Sequence, residues 1–332
     1  NPTDDLLIDK EYCVLDLETT GLSTKYDHII EFGGVIVSKN TITNERLQLF
    51  VKPPVDLPAF IVNKTNITNE MLINALPIEK AIDKIIDFIG DRVIVAHNAD
   101  FDFNFINDNL IRLGRRPLDN ICLDTLNLAR ETVKDRKYYR LGVIANYFGV
   151  DYDDNIAHRA DYDAEVLANI LIRMLPTIPD FESMTFEKLQ NDQQEDIFKK
   201  ARPYSATLLA KNMTGIKDIY ELVTLSHTDY LTYYAKENAK KIDADVSAEP
   251  RITKSEIEKR RKNILVGSCD QYSELFEIAS NRSLADLENC MKFYDYIEIH
   301  PLENYEYMVE IGSSFDMERI KMIIEDIIKT AD

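Results

Sequence analysis

The run Tyr12-Cys-Val-Leu-Asp-Leu-Glu-Thr-Thr-Gly-Leu22 constrains this chain more than any other stretch. It opens on apolar residues of β type. Asp16 and Glu18 are two apart, so they point to the same face of such a strand. Two carboxylates side by side near the end of a buried strand repel each other and lose hydration. A cation between them relieves both penalties, and carboxylate oxygens suit hard ions such as magnesium or manganese. The pair calls for further ligands elsewhere in the chain.

Two stretches offer them. Val95-Ala-His-Asn-Ala-Asp-Phe-Asp-Phe103 lies where a short apolar strand, Arg92 to Ala96, hands over to a helix. In α/β sheets, ligands gather at such strand ends. Asp100 and Asp102 are both candidates, although Asp100 also reads as a helix N-cap and Asp102 as an acid favoured by the helix dipole. Ala157-His-Arg-Ala-Asp-Tyr-Asp-Ala164 opens the last strong helix of the first half. With His158 in the preceding loop and Asp163 in the first or second turn, both can face one cleft. The imidazole titrates near neutrality, which suits proton transfer.

Around these stretches the pattern is strands first and helices later. Ile29 to Val37 and Leu47 to Val51 complete a meander with the first strand, turning at Lys39-Asn40. A helix start lies at Thr68 or Asn69. Ile78, Ile82, Ile85, Ile86 and Ile89 form a helical stripe closed by Gly90. Phe103, Ile106, Leu110 and Leu113 form another, closed by Gly114. Leu123 to Ala129, Leu141 to Phe148 and Ala160 to Leu175 read as further helices. The expectation is an α/β fold, a mixed sheet with helices on both faces.

The remaining composition sets bounds. The 332 residues suffice for two domains. A net charge of −19 argues against a broad electrostatic grip on nucleic acid, but not against a site where bound metal meets the phosphate. No window approaches the roughly 20 apolar residues of a membrane span, and no signal-peptide pattern is read. Cys13, Cys122, Cys269 and Cys290 lack CxxC spacing and read as reduced thiols, which suits a cytoplasmic protein. The opening Asn1-Pro2 reads as a piece of something longer.

Asp16-Leu-Glu-Thr-Thr-Gly21, His97-Asn-Ala-Asp-Phe-Asp102 and His158-Arg-Ala-Asp-Tyr-Asp163 resemble, in order and spacing, the three motifs of the DEDDh (DnaQ-type) 3′→5′ exonucleases. The resemblance covers residues 12 to about 175 and implies a ribonuclease H-like core over 1–178. It implies that Asp16, Glu18, Asp102 and Asp163 hold two divalent ions, Mg2+ or Mn2+, and that His158 is the general base. It suggests that Thr19, Thr20, Gly21 and Leu22 contact the terminal nucleotide, with Leu22 as a wedge against a base. Phe101 is a stacking residue or core, and His97 and Asn98 line the pocket or brace the loop. Asn66 stands where such relatives often have glycine; asparagine tolerates a positive φ, so the turn can survive.

The region 179–332 is similar to the later part of the polymerase and histidinol phosphatase (PHP) domain of PolC-type replicases. Ala201 to Lys217, Leu222 to His227, Ile264 to Asp270 and Phe293 to Glu298 carry that similarity. Strands are expected at Thr207 to Ala210, Ile264 to Val266 and Tyr296 to Ile299. Helices are expected at Ile216 to Leu225, Ile257 to Lys262 and Met317 to Ile328, and a loop or helix extension over Ala235 to Arg251. Ser205 replaces a histidine common in these relatives, Asp270 a cysteine and Ser273 a glycine. Cys269 and Glu274 remain, and His227 and His300 stand alone, so no working metal site is expected there. The resemblances together imply a proofreading 3′→5′ DNA exonuclease within a PolC-type DNA polymerase III. Its partners would be DNA 3′ ends, the polymerase part of the same chain and other replicase subunits, with no membrane. The competing readings are an RNA-trimming exonuclease, a non-catalytic replicase scaffold and a PHP phosphoesterase.

Overall fold

The computed structural model describes residues 4–133, 138–194, 197–235, 246–309 and 315–331. They divide into two compact units, with the boundary in sequence between Gln190 and Asn191. It falls beyond 178 because Phe181, Met184, Phe186 and Leu189 are all buried in a core of the first unit.

The first unit is built on β1 (Glu11–Thr19), β2 (Ile29–Ser38) and β3 (Thr41–Lys52), followed by α1 (Ala59–Thr65), α2 (Asn69–Leu72) and β4 (Leu76–Pro77). Next come α3 (Ile78–Ile89), β5 (Val93–Ala96), α4 (Ala99–Arg112), β6 (Cys122–Asp124), α5 (Thr125–Thr132), α6 (Leu141–Tyr147) and α7 (Ala160–Met174). Six strands form one sheet in the order β4-β3-β2-β1-β5-β6. β1, β2 and β3 pair antiparallel, and β5 joins β1 in parallel. Lys39 and Asn40 both take positive φ, which matches the two-residue hairpin turn between β2 and β3.

Alternation along the strands feeds two cores. Tyr12 and Val14 of β1 join a cluster with α5, α6 and α7, while Cys13, Leu15 and Leu17 join one with α3 and α4. This is the mixed sheet with helices on both faces that the sequence predicts. α7 crosses β2 so closely that a side chain at Gly33 would collide with the backbone of Ala160 and Asp161. Gly33 lies opposite Asp16 in the ladder, so this helix begins directly over the first acid.

Several local expectations need correction. Cys122 to Asp124 is the edge strand β6, and Asp124 caps the helix after it with its own carboxylate. The helix over Ala59–Thr65 is absent from the sequence reading, since Pro58 ahead of it signals a break. Asn66 ends that helix at φ 57°, a left-handed conformation asparagine accepts, so the turn is retained. α2 is capped by Thr68.

The boundary falls within α8 (Phe186–Gln194), and the second unit opens with the end of that helix and α9 (Ile197–Lys200). It contains β7 (Thr207–Ala210), α10 (Met213–His227), β8 (Leu231–Ala235), β9 (Val246–Pro250), α11 (Lys254–Glu258), β10 (Ile264–Gly267), α12 (Glu274–Asn281), α13 (Leu284–Met291) and α14 (Met317–Ala331). β7 pairs antiparallel with β10, and β8 with β9. Leu222, Ile257, Ile264 and Val266 form a buried core. Within the stretch read as loop or helix, 246–250 is a strand and 236–245 lies outside the described residues. The helix expected at Ile257 to Lys262 begins earlier, because the Thr253 hydroxyl accepts from the Glu256 amide and starts it there. Tyr296 forms only an isolated bridge to Gly267 rather than a strand.

Candidate active site

β1 carries Asp16 and Glu18 to the sheet end from which the loop Thr20–His28 leaves. α4 begins at the end of β5 and brings Asp102 beside them. Asp102 is 3% exposed, and its Oδ1 accepts from the Leu17 amide at 3.0 Å, which ties it to the peptide between the two β1 acids. α7 brings Asp163, 6% exposed, whose Oδ2 accepts from the His158 amide at 3.1 Å. That bond closes a short loop in which His158 is exposed and held at φ 62°. Potential ligand atoms of Glu18, His158 and Asp163 lie within 4.8 Å of one another, the one such group of three or more among the described residues.

The electrostatics follow from this crowding. Burial pushes the Asp16 carboxyl well above the ordinary range, and the charges of Asp102, Glu18, Asp163 and Glu31 push it further. Burial, then Asp163, raises Glu18 to about 8 against the pull of Lys64. Burial raises Asp102 to about 8 and Asp163 to about 6. Burial and the Lys64 charge both lower the His158 pKa, so its imidazole is neutral near pH 7 and free to accept a proton. The Oδ1 atom of Asp163 is buried without a hydrogen-bond partner. An orphaned carboxylate oxygen among mutually repelling acids is what a hard divalent cation satisfies, so the donor set fits such an ion.

The residues assigned to the nucleotide divide into two groups. Leu22 is 67% exposed at the tip of its loop. The side chains of Thr19 and Thr20 are spent within that loop: the Thr19 hydroxyl donates to the Gly21 carbonyl at 2.6 Å, and the Thr20 hydroxyl donates to Asp27 and accepts from the His28 amide. At Gly21 a side chain would collide with the Asp27 carboxylate, so the glycine is required first by the loop itself. His97 braces its surroundings, with Nδ1 on the Thr125 hydroxyl at 3.0 Å and Nε2 on the Tyr139 carbonyl at 2.6 Å. Asn98, not Asp100, is the N-cap of α4; it sits at φ 74°, and its amide donates to Asp124. Phe101 is half-buried against Phe105, ring centres 4.9 Å apart.

Sequence reasoning missed five residues around the site. Asp27 folds the Leu22 loop, donor to donor, from Thr20 to the Ser23 amide. Asp108 and Arg112 of α4 bind that loop through the Thr24 hydroxyl and the Thr24 carbonyl. Lys64 is the cation that acts on Glu18, His158 and Asp163 together. Glu31, 0% exposed, lies opposite Glu18 in the ladder. Its signal was available, as the single charge in the apolar run from Ile29 to Val37.

In the second unit Glu274 is paired with Lys254, and Cys269 is half-buried at φ 62°. The His227 ring is exposed and bonds the Ser226 hydroxyl and the Val223 carbonyl within its own helix. Among the described residues, no helix is long and apolar enough to cross a membrane.

Residues 13–171 match the model of the Exonuclease family (RNase_T). Over 327 residues the chain is 35% identical to the DNA polymerase III PolC-type of Halalkalibacterium halodurans, covering 98% of this chain and 22% of that protein. The Bacillus subtilis protein of the same name is 35% identical over 329 residues, with the same coverage. The chain spans about a fifth of the length of these curated relatives. Among solved structures, Exonuclease X in complex with 5′ overhanging duplex DNA aligns with TM-score 0.43 and 24% identity, over 55% of this chain and 99% of that one. The nuclease domain of 3′hExo, a DEDDh family member, bound to rAMP, aligns with TM-score 0.44 and 20% identity, over 52% and 94%.

Proposed function

We propose, from the premise that residues 13–171 are an exonuclease domain, that this chain removes nucleotides one at a time from the 3′ end of DNA. The setting is proofreading within a PolC-type DNA polymerase III, in keeping with the relatives that match nearly its whole length. The observation that carries the reading is the cluster of Glu18, His158 and Asp163, with Asp16 and Asp102 beside it and an orphaned oxygen on Asp163.

Asp16, Glu18, Asp102 and Asp163 would hold two divalent ions, Mg2+ or Mn2+. When bound, such ions supply positive charge against the phosphate oxygens and lower the pKa of water. The protein's own residues do the rest. Leu22, exposed at the loop tip, packs against the terminal base. His158, neutral near pH 7 and facing solvent, takes a proton from the attacking water. Water oxygen bonds to phosphorus as the bond to the 3′ oxygen breaks. The freed 3′ oxygen takes a proton from solvent water and leaves as a hydroxyl, and the product is a nucleoside 5′-monophosphate. His158 then returns its proton to solvent through its exposed face. Residues 179–332 are read as the later part of a PHP region that accompanies the nuclease, and the polymerase portion and other replicase subunits as its partners.

The test is degradation of 5′-labelled single-stranded DNA by the purified chain with manganese, beside Asp16→Ala and His158→Ala. A ladder shortening from the 3′ end, lost in both variants, supports the reading. A ladder from RNA but not DNA would replace it with RNA trimming. No cleavage of either by a cooperatively folded chain that binds manganese would reject autonomous nuclease action.

A further inference from the structure

Glu31 is a fully buried acid in the middle of the sheet, and three of its four hydrogen bonds come from the start of α7. Its Oε1 accepts from the Gln48 amide group at 2.8 Å and from Arg159 Nη2 at 2.9 Å. Its Oε2 accepts from Arg159 Nε at 3.0 Å and from the Ala160 backbone amide at 3.0 Å. The Arg159 guanidinium is thus held in a two-pronged grip, and it also lies over the Phe50 ring at 5.4 Å. His158 is the residue just before it, pinned on its other side by the bond from its amide to Asp163.

Glu31 stands directly opposite Glu18 across the β1–β2 ladder. Cross-strand partners have their Cβ atoms about 4.5–5.5 Å apart, so two carboxylates compete for one nearby guanidinium. Arg159 also feels the charge of Glu18. Glu31 wins because it adds the Ala160 amide to the fork, a contact a shifted Arg159 would abandon.

The geometry points to Glu31 as a positioning residue that keeps Arg159 off Glu18 and fixes the backbone on which His158 is carried. This rests on the exonuclease reading of the site. Removing the Glu31 charge releases the guanidinium toward the remaining carboxylates whose charge it feels, Asp161 and Glu18, and at Glu18 it competes with a divalent cation. Glu31→Gln keeps the shape and an acceptor for Ala160 but loses the anion.

Two readouts separate this from a general structural role. The first is manganese binding without substrate, measured by calorimetry on the wild-type chain, Glu31→Gln, Arg159→Met and the double variant. Supporting groups behind metal ligands are worth about 10–100-fold in affinity. Glu31→Gln should weaken binding by roughly tenfold or more. Adding Arg159→Met should restore most of that loss, because the competitor has gone. The second is kinetics on single-stranded DNA at saturating manganese, where Glu31→Gln should lower kcat and leave KM within about twofold. Loss of manganese affinity that the double variant does not recover would overturn the inference, as would unchanged binding and unchanged kcat in Glu31→Gln. A melting temperature lowered equally in all three variants, with no rescue of binding, would assign the pair to folding alone. If wild type itself fails to cleave, the exonuclease reading fails first, and the manganese titration still decides whether Arg159 competes at Glu18.

Discussion

In the second unit, Glu274 lies against the Lys254 ammonium, Glu256 accepts from Lys259 and Arg260, and Asp295 pairs with Arg261. In the first unit, Asp16, Glu18, Asp102 and Asp163 crowd one another, and the nearby guanidinium of Arg159 is already taken by Glu31. These two groups of acids are settled differently. Acids matched by cations from the same chain complete a fold. Acids raised by burial and by each other hold protons until a cation from outside replaces them. The difference identifies the site better than the number of carboxylates, which would favour neither unit.

The largest test of this contrast is catalytic. His158→Ala should lower the exonuclease rate by roughly 10²–10⁴-fold, the usual worth of a general base. Cys269→Ser in the second unit should leave the rate within about twofold. Single-turnover cleavage of labelled DNA measures both, and a comparable loss in each would erase the contrast.

Next is packing. Gly33→Ala drives a methyl group into the backbone of Ala160 and Asp161, which cannot rotate away. It should cost about 1–3 kcal/mol or more and lower activity, because the start of α7 must move. Gly267→Ala meets the side chains of Tyr296 and Glu298 instead, which can turn aside. Urea unfolding should rank Gly33→Ala as the more damaging, and only that variant should slow cleavage.

The third test is pH. In the ion-free chain, Glu18 and Asp102 are each raised to about 8 from ordinary values of 4.5 and 3.8. Between those limits the folded chain keeps protons that the unfolded chain has released. The associated stability is therefore full below the ordinary carboxylate range and is lost as pH rises toward 8. Melting in the presence of a chelator should fall across that window, and manganese should flatten the fall. A flat profile without metal would mean that the acids are not crowded in solution.

The smallest effect belongs to a cap. Thr253→Ala removes the hydroxyl that accepts from the Glu256 amide and should cost about 1 kcal/mol of stability. Activity should not change. Loss of cleavage on this substitution would show that the second unit is not bystander structure.

The acids and the strands of the first unit were readable because their signals are local. A DxE pair needs only strand alternation, and β1, β2, α3 and α7 follow from apolar periodicity. What escaped the sequence depends on cross-chain contact. The Glu31–Arg159 grip joins a strand to a helix far along the chain, and nothing near Arg159 says where its fork will point. Asp27 is a similar case, since its role is to occupy the space that Gly21 leaves free. Asp124 was hidden by the reverse problem, because a three-residue edge strand leading into a helix has the apolar pattern of the helix alone. In the second unit, β8 found its partner only across the segment 236–245, so local pattern could not assign 246–250.

The strand order β4-β3-β2-β1-β5-β6 also sets a schedule. β1, β2 and β3 are neighbours in sequence and can pair as soon as they leave the ribosome. Asp16 and Glu18 are then in place, but Asp163 is still to be made. At about 5–20 residues per second, the interval is on the order of ten seconds. During it the half-built sheet lacks both His158 and Asp163. On the proposed reading, a nascent chain would not cleave nucleic acid until α7 docks, without any inhibitor to restrain it.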